Sequence, residues 1–202
     1  MIKLLNAIVI VFVLTGCSPS TPQLPALSGD SVILSFGDSL TYGTGVGDDD
    51  AYPAVLERLT GLSVVNAGVP GEETPQGLKR LPQLLNEYKP ALLVLCHGGN
   101  DILRKRDKNA AAENLKSMIR MARERNISVI LLGVPDFGLF LSVADFYVKV
   151  AEEMQVPFDP DTLPDILSDN DLKSDQIHPN ARGYHIMAEA VVKLMQKSGA
   201  IK

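Results

Sequence analysis

Short apolar runs alternate with longer amphipathic segments along most of this chain. The runs lie at 31–36, 62–66, 91–96, 127–132 and, more briefly, 156–158. They are mostly apolar on both faces and bounded by turn residues, which is typical of strands buried in a parallel sheet. Because parallel strands are joined by right-handed crossovers through helices, the alternation predicts an α/β fold. The expected architecture is a three-layer α/β/α sandwich with a parallel five-stranded sheet.

The segments between the runs predict the helices of the outer layers. Tyr52 to Thr60 ends at Gly61, a residue that suits the left-handed cap of a helix. Thr74 and Pro75 open the next helix, which runs towards Tyr88. Further helices are predicted along the apolar stripe from Ala111 to Ala122, over 139–155 and from Pro179 onward.

The composition excludes several classes of protein. The chain has 202 residues, 46% of them hydrophobic, which is enough for one globular domain with a sizeable core. Its formal net charge is −5 and it has no basic cluster, so nucleic acid is not an expected partner. No two of its three histidines have the spacing of a metal site, and neither a metal nor another cofactor is predicted. We expect a monomer that acts on a small substrate.

The N-terminus has the pattern of an export signal. Lys3 precedes an apolar stretch from Leu4 to Leu14, which is shorter than the roughly 20 residues of a membrane span but fits the apolar region of a secretory signal. The stretch ends in Leu14-Thr15-Gly16-Cys17, which resembles the bacterial lipoprotein cleavage box. That resemblance implies cleavage before Cys17 and diacylglycerol attachment to its sulfur. A plain signal peptide with an incidental cysteine is the alternative.

These features divide the chain into three parts. Residues 1–16 are the predicted lipoprotein signal peptide, 17–29 are the lipidated Cys17 with a Pro/Ser-rich tether, and 30–202 are the folded domain. Several acyl chains on one residue would anchor the protein stably. We therefore expect an exported bacterial lipoprotein that is held to a membrane and faces the periplasm or the cell exterior.

Reactive or polar groups follow the carboxyl ends of the predicted strands, where open α/β sheets bind ligands. Ser39 follows the first strand, two residues after Gly37, a glycine that permits a sharp turn. Gly71 follows the second strand and Asn100 follows the third. Asp175-x-x-His178 lies in the loop before the last helix.

Together these groups suit acyl transfer. Asp175 can accept the Nδ1 proton of His178, which leaves Nε2 to take a proton from the Ser39 hydroxyl. The developing oxyanion needs donors, which the backbone N–H groups of Ser39 and Gly71 and the side-chain amide of Asn100 can supply.

Three other reactive side chains are interpreted as structural. Cys96 ends an apolar run and is predicted to be a small core residue. His97 follows it, and structural use is favoured over a place in the cleft. His185 lies in the last predicted helix and is expected at the surface or in packing.

Four ordered blocks resemble the SGNH (GDSL) hydrolase family, and the resemblance runs from about Asp30 to Lys197. The blocks are Gly37-Asp38-Ser39-Leu40, the glycine block around Gly71, Gly98-Gly99-Asn100-Asp101 and Asp175-x-x-His178-Pro179. The resemblance implies a flavodoxin-like fold with Ser39 as nucleophile, His178 as base, Asp175 as orienting acid, and an oxyanion hole of Ser39, Gly71 and Asn100. Val64–Ala67 and Leu78–Pro82 look most like the bacterial thioesterase/lysophospholipase/arylesterase branch.

The resemblance implies a serine hydrolase that cleaves ester or thioester bonds through an acyl-enzyme on Ser39. Its expected substrates are acyl compounds such as lysophospholipids, acyl thioesters or aryl esters. Two alternatives stay open: a carbohydrate O-acetyl esterase of the cell envelope, and a non-catalytic envelope binding lipoprotein. Residues 134–147, dense in apolar side chains that include Phe137, Leu139 and Phe140, form either the buried face of a helix or an acyl-binding wall.

Overall fold

Five of the strands occupy the positions that the apolar runs predict, to within two residues at each end. The computed structural model describes residues 21–136 and 141–202. Its strands are β1 (Val32–Gly37), β2 (Ser63–Gly68), β3 (Leu92–Cys96), β4 (Ser128–Leu132), β5 (Pro135–Asp136), β6 (Ser142–Val143) and β7 (Phe158–Asp159). Five of them form a parallel sheet in the order β2-β1-β3-β4-β7, while β5 and β6 pair as a separate antiparallel ribbon. The predicted flavodoxin-like sheet is therefore confirmed.

Helices cover both faces of the sheet. They are α1 (Ser39–Tyr42), α2 (Tyr52–Thr60), α3 (Thr74–Tyr88), α4 (Gly99–Leu103), α5 (Lys108–Arg123), α6 (Asp145–Met154), α7 (Thr162–Ser168) and α8 (Ala181–Lys197). Helices α2 and α8 pack against each other on one face, and α5 packs between α3 and α6 on the other. Strands β1 and β3 are buried between these layers, which explains why they are apolar on both faces.

Helix α3 spans the predicted range from Thr74 to Tyr88, with Glu73 at its N-cap position, and the Thr74 hydroxyl donates to the Asp101 carboxylate at 2.7 Å. Two other helices begin later than the sequence predicts. The helix expected over 139–155 begins only at Asp145, because Ser142–Val143 pair with β5. The last helix begins at Ala181, after a cap by the Asn180 side chain.

The N-terminal segment is described from Thr21 onward. Cys17 and the predicted signal peptide lie outside the described residues. Leu24 and Leu27 pack against the core, although the composition of this segment predicts a tether. Within residues 21–136 and 141–202, no helix has the length and apolar content needed to cross a membrane.

A close backbone contact brings the ends of β1 and β3 together. Gly37 pairs with Cys96 in the parallel register. A Cβ atom at Gly37 would overlap the carbonyl oxygen of Cys96 and the hydroxyl of Thr41. The lack of a side chain at Gly37 therefore allows the turn that leads into Asp38 and Ser39.

Replacing Gly37 with alanine is expected to lower the free energy of unfolding by more than about 2 kcal/mol, because backbone atoms of β3 must move to admit the methyl group. Urea denaturation followed by circular dichroism measures the effect. The matched control is Gly47→Ala, where nothing lies within 4 Å of the added atom and the change should stay within about 0.5 kcal/mol. Equal losses in the two variants would contradict the close-contact explanation.

Candidate active site

Ser39 is the first residue of α1, which begins immediately beyond the carboxyl end of β1. Asp38 caps this short helix, since its Oδ1 accepts from the Leu40 N–H at 3.1 Å. A residue in the first turn of a helix has no acceptor for its N–H within the helix. The backbone N–H of Ser39 is therefore available to an incoming ligand.

Asp175 and His178 complete a hydrogen-bonded chain to Ser39. The distance from His178 Nδ1 to Asp175 Oδ2 is 2.8 Å, and that from His178 Nε2 to Ser39 Oγ is 3.0 Å. Because a carboxylate only accepts, Nδ1 carries the imidazole proton and Nε2 is free to accept from the serine hydroxyl. The structure brings together the three residues that the sequence selects.

The loop that carries Asp175 and His178 is held by its own backbone. Asp175 Oδ1 accepts from the N–H groups of Ile177 at 2.8 Å and His178 at 2.9 Å. The Ser174 N–H donates to the His178 carbonyl at 2.9 Å, and the Asn180 N–H donates to that of Leu172 at 2.9 Å. These bonds fix the direction of the imidazole ring before any substrate arrives.

The Asp175 carboxylate is half exposed, with 52% of its side chain accessible, whereas His178 is 12% accessible. Partial burial acts to raise the pKa of Asp175, but hydrogen bonds from the His178 ring and the Ile177 N–H outweigh it and hold the pKa below its usual value. Asp175 is thus kept ionised, in the state that can orient the imidazole and stabilise its charged form.

Gly71 lies in the loop after β2 with a left-handed φ of 78°. Its N–H makes no hydrogen bond to any other described residue. Its carbonyl accepts from the Arg104 guanidinium at 2.9 Å. The next residue but one, Glu73, forms ion pairs with Arg104 at 2.8 Å and Arg106 at 3.1 Å. These contacts tie the loop to the segment that follows α4.

Asn100 lies in the first turn of α4 with both of its amide hydrogens engaged. Its Nδ2 donates to the Glu72 carbonyl at 3.1 Å and to Asp38 Oδ2 at 3.3 Å. Asp38 is 1% exposed, and this burial raises its pKa despite the nearby His97 and the Leu40 N–H. The Asn100 amide therefore joins the serine loop to the Gly71 loop.

A buried polar network behind the Gly71 loop is not predicted by the sequence. Glu72 Oε2 lies 3.1 Å from Nε2 of the fully buried His97, and both Glu72 oxygens accept from Arg80, with Oε1 at 3.0 Å and Oε2 at 2.6 Å. The Arg80 guanidinium also lies 4.3 Å from the centre of the Phe36 ring. Gly77 leaves room for the imidazole, because a Cβ there would overlap it. The network anchors Glu72, whose carbonyl holds Asn100.

The pKa of Glu72 reflects this environment. Burial acts to raise its pKa, but the hydrogen bonds from His97 and Arg80 and the charge of the guanidinium outweigh it and lower the pKa. Glu72 thus stays ionised, and its carboxylate accepts hydrogen bonds from both Arg80 and His97.

The positions of Cys96, His97 and His185 agree with their interpretation as structural residues. Cys96 is fully buried, and burial raises the pKa of its thiol, as expected of a core residue. His97 is likewise buried and structural. His185 lies at the surface, 3.6 Å from Glu189 on the same helix. Among the described residues, no cluster of three histidine, cysteine, aspartate or glutamate side chains could hold a metal.

A narrow cleft of about 10 Å³ opens against Ser39, His178 and Asn100. Its apolar walls are formed by Leu40, Leu103, Val134 and Ile177. The apolar residues Phe137, Leu139 and Phe140 lie outside the described residues, and Leu141 is half-buried. The helix interpretation of 134–147 is wrong for its first part, which contains β5 and β6.

The sequence matches the GDSL-like Lipase/Acylhydrolase family over residues 35–186. The chain belongs to this family. It is 30% identical over 208 residues to an arylesterase of Vibrio mimicus, covering 98% of this chain and 99% of that one. It is also 30% identical over 179 residues to thioesterase 1/protease 1/lysophospholipase L1 of Escherichia coli, covering 85% and 86% of the two chains. The crystal structure of TesA superposes with a TM-score of 0.74 at 28% identity, covering 82% of this chain and 98% of TesA.

The predicted family and its thioesterase/lysophospholipase/arylesterase branch are therefore confirmed. This GDSL hydrolase is a serine esterase, which sets aside the alternative of a non-catalytic binding lipoprotein. The sequence selected Ser39, His178 and Asp175, which the structure joins by hydrogen bonds, but it did not indicate the contact between Glu72 and Arg80. The acidic residue directly after Gly71 was the available signal.

Replacing Glu72 with glutamine is expected to lower the free energy of unfolding by about 1–3 kcal/mol at pH 7, because Arg80 and His97 lose a charged acceptor. Since the pKa of Glu72 is lowered on folding, its contribution is present above the unfolded value and is lost as the pH falls through the folded value. The difference from wild type should therefore shrink below about pH 4. Urea unfolding at several pH values measures it.

The matched control for this variant is Glu113→Gln, which removes a carboxylate that is 61% exposed and pairs with Lys116. An exposed pair contributes little, so its loss should stay near 0.5 kcal/mol. A Glu72→Gln effect that is no larger, or that grows on acidification, would contradict the assigned role of the network.

Proposed function

We propose that Ser39, His178 and Asp175 form the catalytic triad of this esterase. The hydrogen-bonded chain from Asp175 through His178 to Ser39, with distances of 2.8 and 3.0 Å, is the observation that carries the proposal. The Ser39 oxygen attacks the carbonyl carbon of the ester while Nε2 of His178 takes the hydroxyl proton. His178 then gives this proton to the departing alcohol or thiol, which leaves the acyl group on Ser39. Water, activated by the same imidazole, releases the carboxylic acid.

The oxyanion that forms in each step is proposed to be held by Ser39, Gly71 and Asn100. The N–H groups of Ser39 and Gly71 make no hydrogen bond to another described residue and so can donate to an oxyanion. Asn100 must release one partner, and its longer bond, 3.3 Å to Asp38, is the one that an oxyanion would replace. The 3.1 Å bond to the Glu72 carbonyl meanwhile keeps the amide in place. Such donors commonly lower the barrier by about 3 kcal/mol each.

The proposed substrates are acyl esters and thioesters such as lysophospholipids, acyl thioesters or aryl esters. The names of the arylesterase and of the thioesterase/lysophospholipase relatives support this class. The apolar side chains of Leu40, Leu103, Val134 and Ile177 around the cleft suit an acyl chain better than a charged group.

A carbohydrate O-acetyl esterase is the second candidate, because the cleft beside Ser39 is small. Its volume of about 10 Å³ is far below the roughly 300–1,000 Å³ of pockets that enclose larger ligands. An acetyl group needs the least enlargement of this cleft.

We also propose that the protein is an exported lipoprotein anchored through Cys17 and facing the periplasm or the cell exterior. The residues Leu14-Thr15-Gly16-Cys17 after a short apolar stretch support this location. The acidic charge and the self-contained chain of catalytic groups support a monomer that does not bind nucleic acid.

Replacing Ser39 with alanine is expected to lower kcat on p-nitrophenyl esters by about 10⁴-fold or more, because the acyl-enzyme cannot form. The form from Ser18 onward is assayed with acyl chains from acetyl to palmitoyl. A maximum at long chains favours the acyl-ester function, and activity on acetyl alone favours the O-acetyl esterase. Ser168→Ala, an exposed serine whose hydroxyl bonds within α7, is the control and should retain full activity. An active Ser39→Ala variant would contradict the nucleophile assignment.

Replacing Cys17 with serine is expected to move the protein from the membrane fraction to the soluble fraction, because serine has no sulfur for the diacylglycerol thioether. Mass spectrometry of the wild-type N-terminal peptide should show the acyl modification. A free, unmodified thiol at Cys17 in the wild-type protein would contradict lipidation.

A further inference from the structure

The described part of the expected tether is bound to the end of the last helix. The N–H of Leu24 donates to the Ser198 carbonyl and that of Leu27 to the Ala200 carbonyl, both at 2.8 Å. The Leu24 and Leu27 side chains pack against the hydrophobic core. The segment is therefore held at two points along the chain that follows α8.

This docking place lies at the edge of the sheet opposite the active site. Residues 28–31 lead from it directly into the amino end of β1, and Ser39 follows the carboxyl end of the same strand. Helix α8 runs antiparallel to β1. It begins after His178, on the side of the active site, and ends just before Ser198, on the side of the docked segment. Thr21 and Pro22 lie in a groove with Val156 and Phe158, where the chain enters β7. All three connections place the segment at the amino ends of the strands.

The distance between the two edges follows from element lengths. A strand of six residues, as in β1, spans about 20 Å. A helix of 17 residues, as in α8, spans about 25 Å. The bound segment and Ser39 are therefore separated by the full height of the domain.

The chain between the anchor and the docked segment is too short to cross that distance. Four residue steps separate Cys17 from Thr21. Even a fully extended chain covers at most about 3.6 Å per residue, or about 14 Å in total. A lipid on Cys17 would therefore stay near the amino ends of the strands for as long as residues 21–27 are docked.

We propose that the docked N-terminal segment turns the active site away from the bilayer that holds the anchor. This inference rests on the proposed function, including lipidation of Cys17. The site then acts on esters that are dissolved or displayed on a facing surface, and not on lipids within its own membrane. The segment 21–27 sets this orientation, because its release would lengthen the free chain from Cys17 to Ser28 to about 40 Å.

The orientation can be tested with the lipidated full-length protein in vesicles. The probe is a fluorogenic acyl ester on the headgroup of a dialkyl phospholipid, which does not exchange between vesicles. It is placed either in the vesicles that carry the enzyme or in separate vesicles. We expect no more than about a threefold advantage for the probe in the enzyme's own vesicles, although an anchored enzyme with free access would gain at least about a hundredfold in effective concentration.

Two variants should hydrolyse the probe faster in the enzyme's own vesicles than in separate vesicles. The first has 20 Gly/Ser residues inserted between Ser20 and Thr21, which span about 25 Å on average. The second is Leu24→Asp/Leu27→Asp, which releases the docked segment. Both should raise hydrolysis in the enzyme's own vesicles at least about tenfold. The control carries the same Gly/Ser residues after Lys202 and should behave as wild type.

The proposed orientation would be overturned if the wild-type protein hydrolysed the probe much faster in its own vesicles than in separate vesicles. It would also be overturned if the variant with the inserted Gly/Ser residues showed no faster hydrolysis in its own vesicles than the wild type. Hydrolysis of a dissolved umbelliferyl ester and flotation with vesicles are measured on every variant. If the wild-type protein fails either of these two measurements, the proposed function is overturned and the orientation with it, so the two failures are distinguishable.

Discussion

Parallel pairing of β1 with β3 fixes the distance between the loops that carry Ser39 and Asn100. The register sets Gly37 opposite Cys96, and the chain segments that follow emerge side by side. The Asp38 carboxylate can then reach the Asn100 amide at 3.3 Å. The proposed nucleophile and a proposed oxyanion donor follow neighbouring strands, and the close backbone contact between Gly37 and Cys96 brings their loops side by side.

Residues marked by local spacing could be found from the sequence. Ser39 lies two residues beyond the end of a buried strand, and Asp175 and His178 share one tight loop. The carboxyl ends of parallel strands meet at one edge, so these residues could be placed together without coordinates. Asn100 could be selected in the same way, whereas Gly71 was assigned through the resemblance to the SGNH family. The bond between Asn100 and Asp38 could not be predicted.

Features that depend on how elements pack could not be predicted. The Glu72 network requires α3 to turn Arg80 inward and Gly77 towards His97, which the composition of that helix does not reveal. The stretch 17–29 is rich in proline and serine and so predicts a tether, yet Leu24 and Leu27 within it pack against the core and bond to the chain after α8. In both cases tertiary contacts decide what a local pattern leaves open.

The ion pairs of Glu73 give the Gly71 loop an unusual dependence on the solution around it. Arg104 and Arg106, which hold Glu73, have 45% and 57% of their side chains exposed. Attraction between exposed charges weakens as salt shortens the Debye length, from about 30 Å at 0.01 M to about 3 Å at 1 M. The buried Glu72 network is shielded from this screening. The Glu73 ion pairs that hold the loop are thus sensitive to salt, whereas the Glu72 network is much less so. Ionic strength would therefore change the mobility of the Gly71 loop even when the ester itself is uncharged.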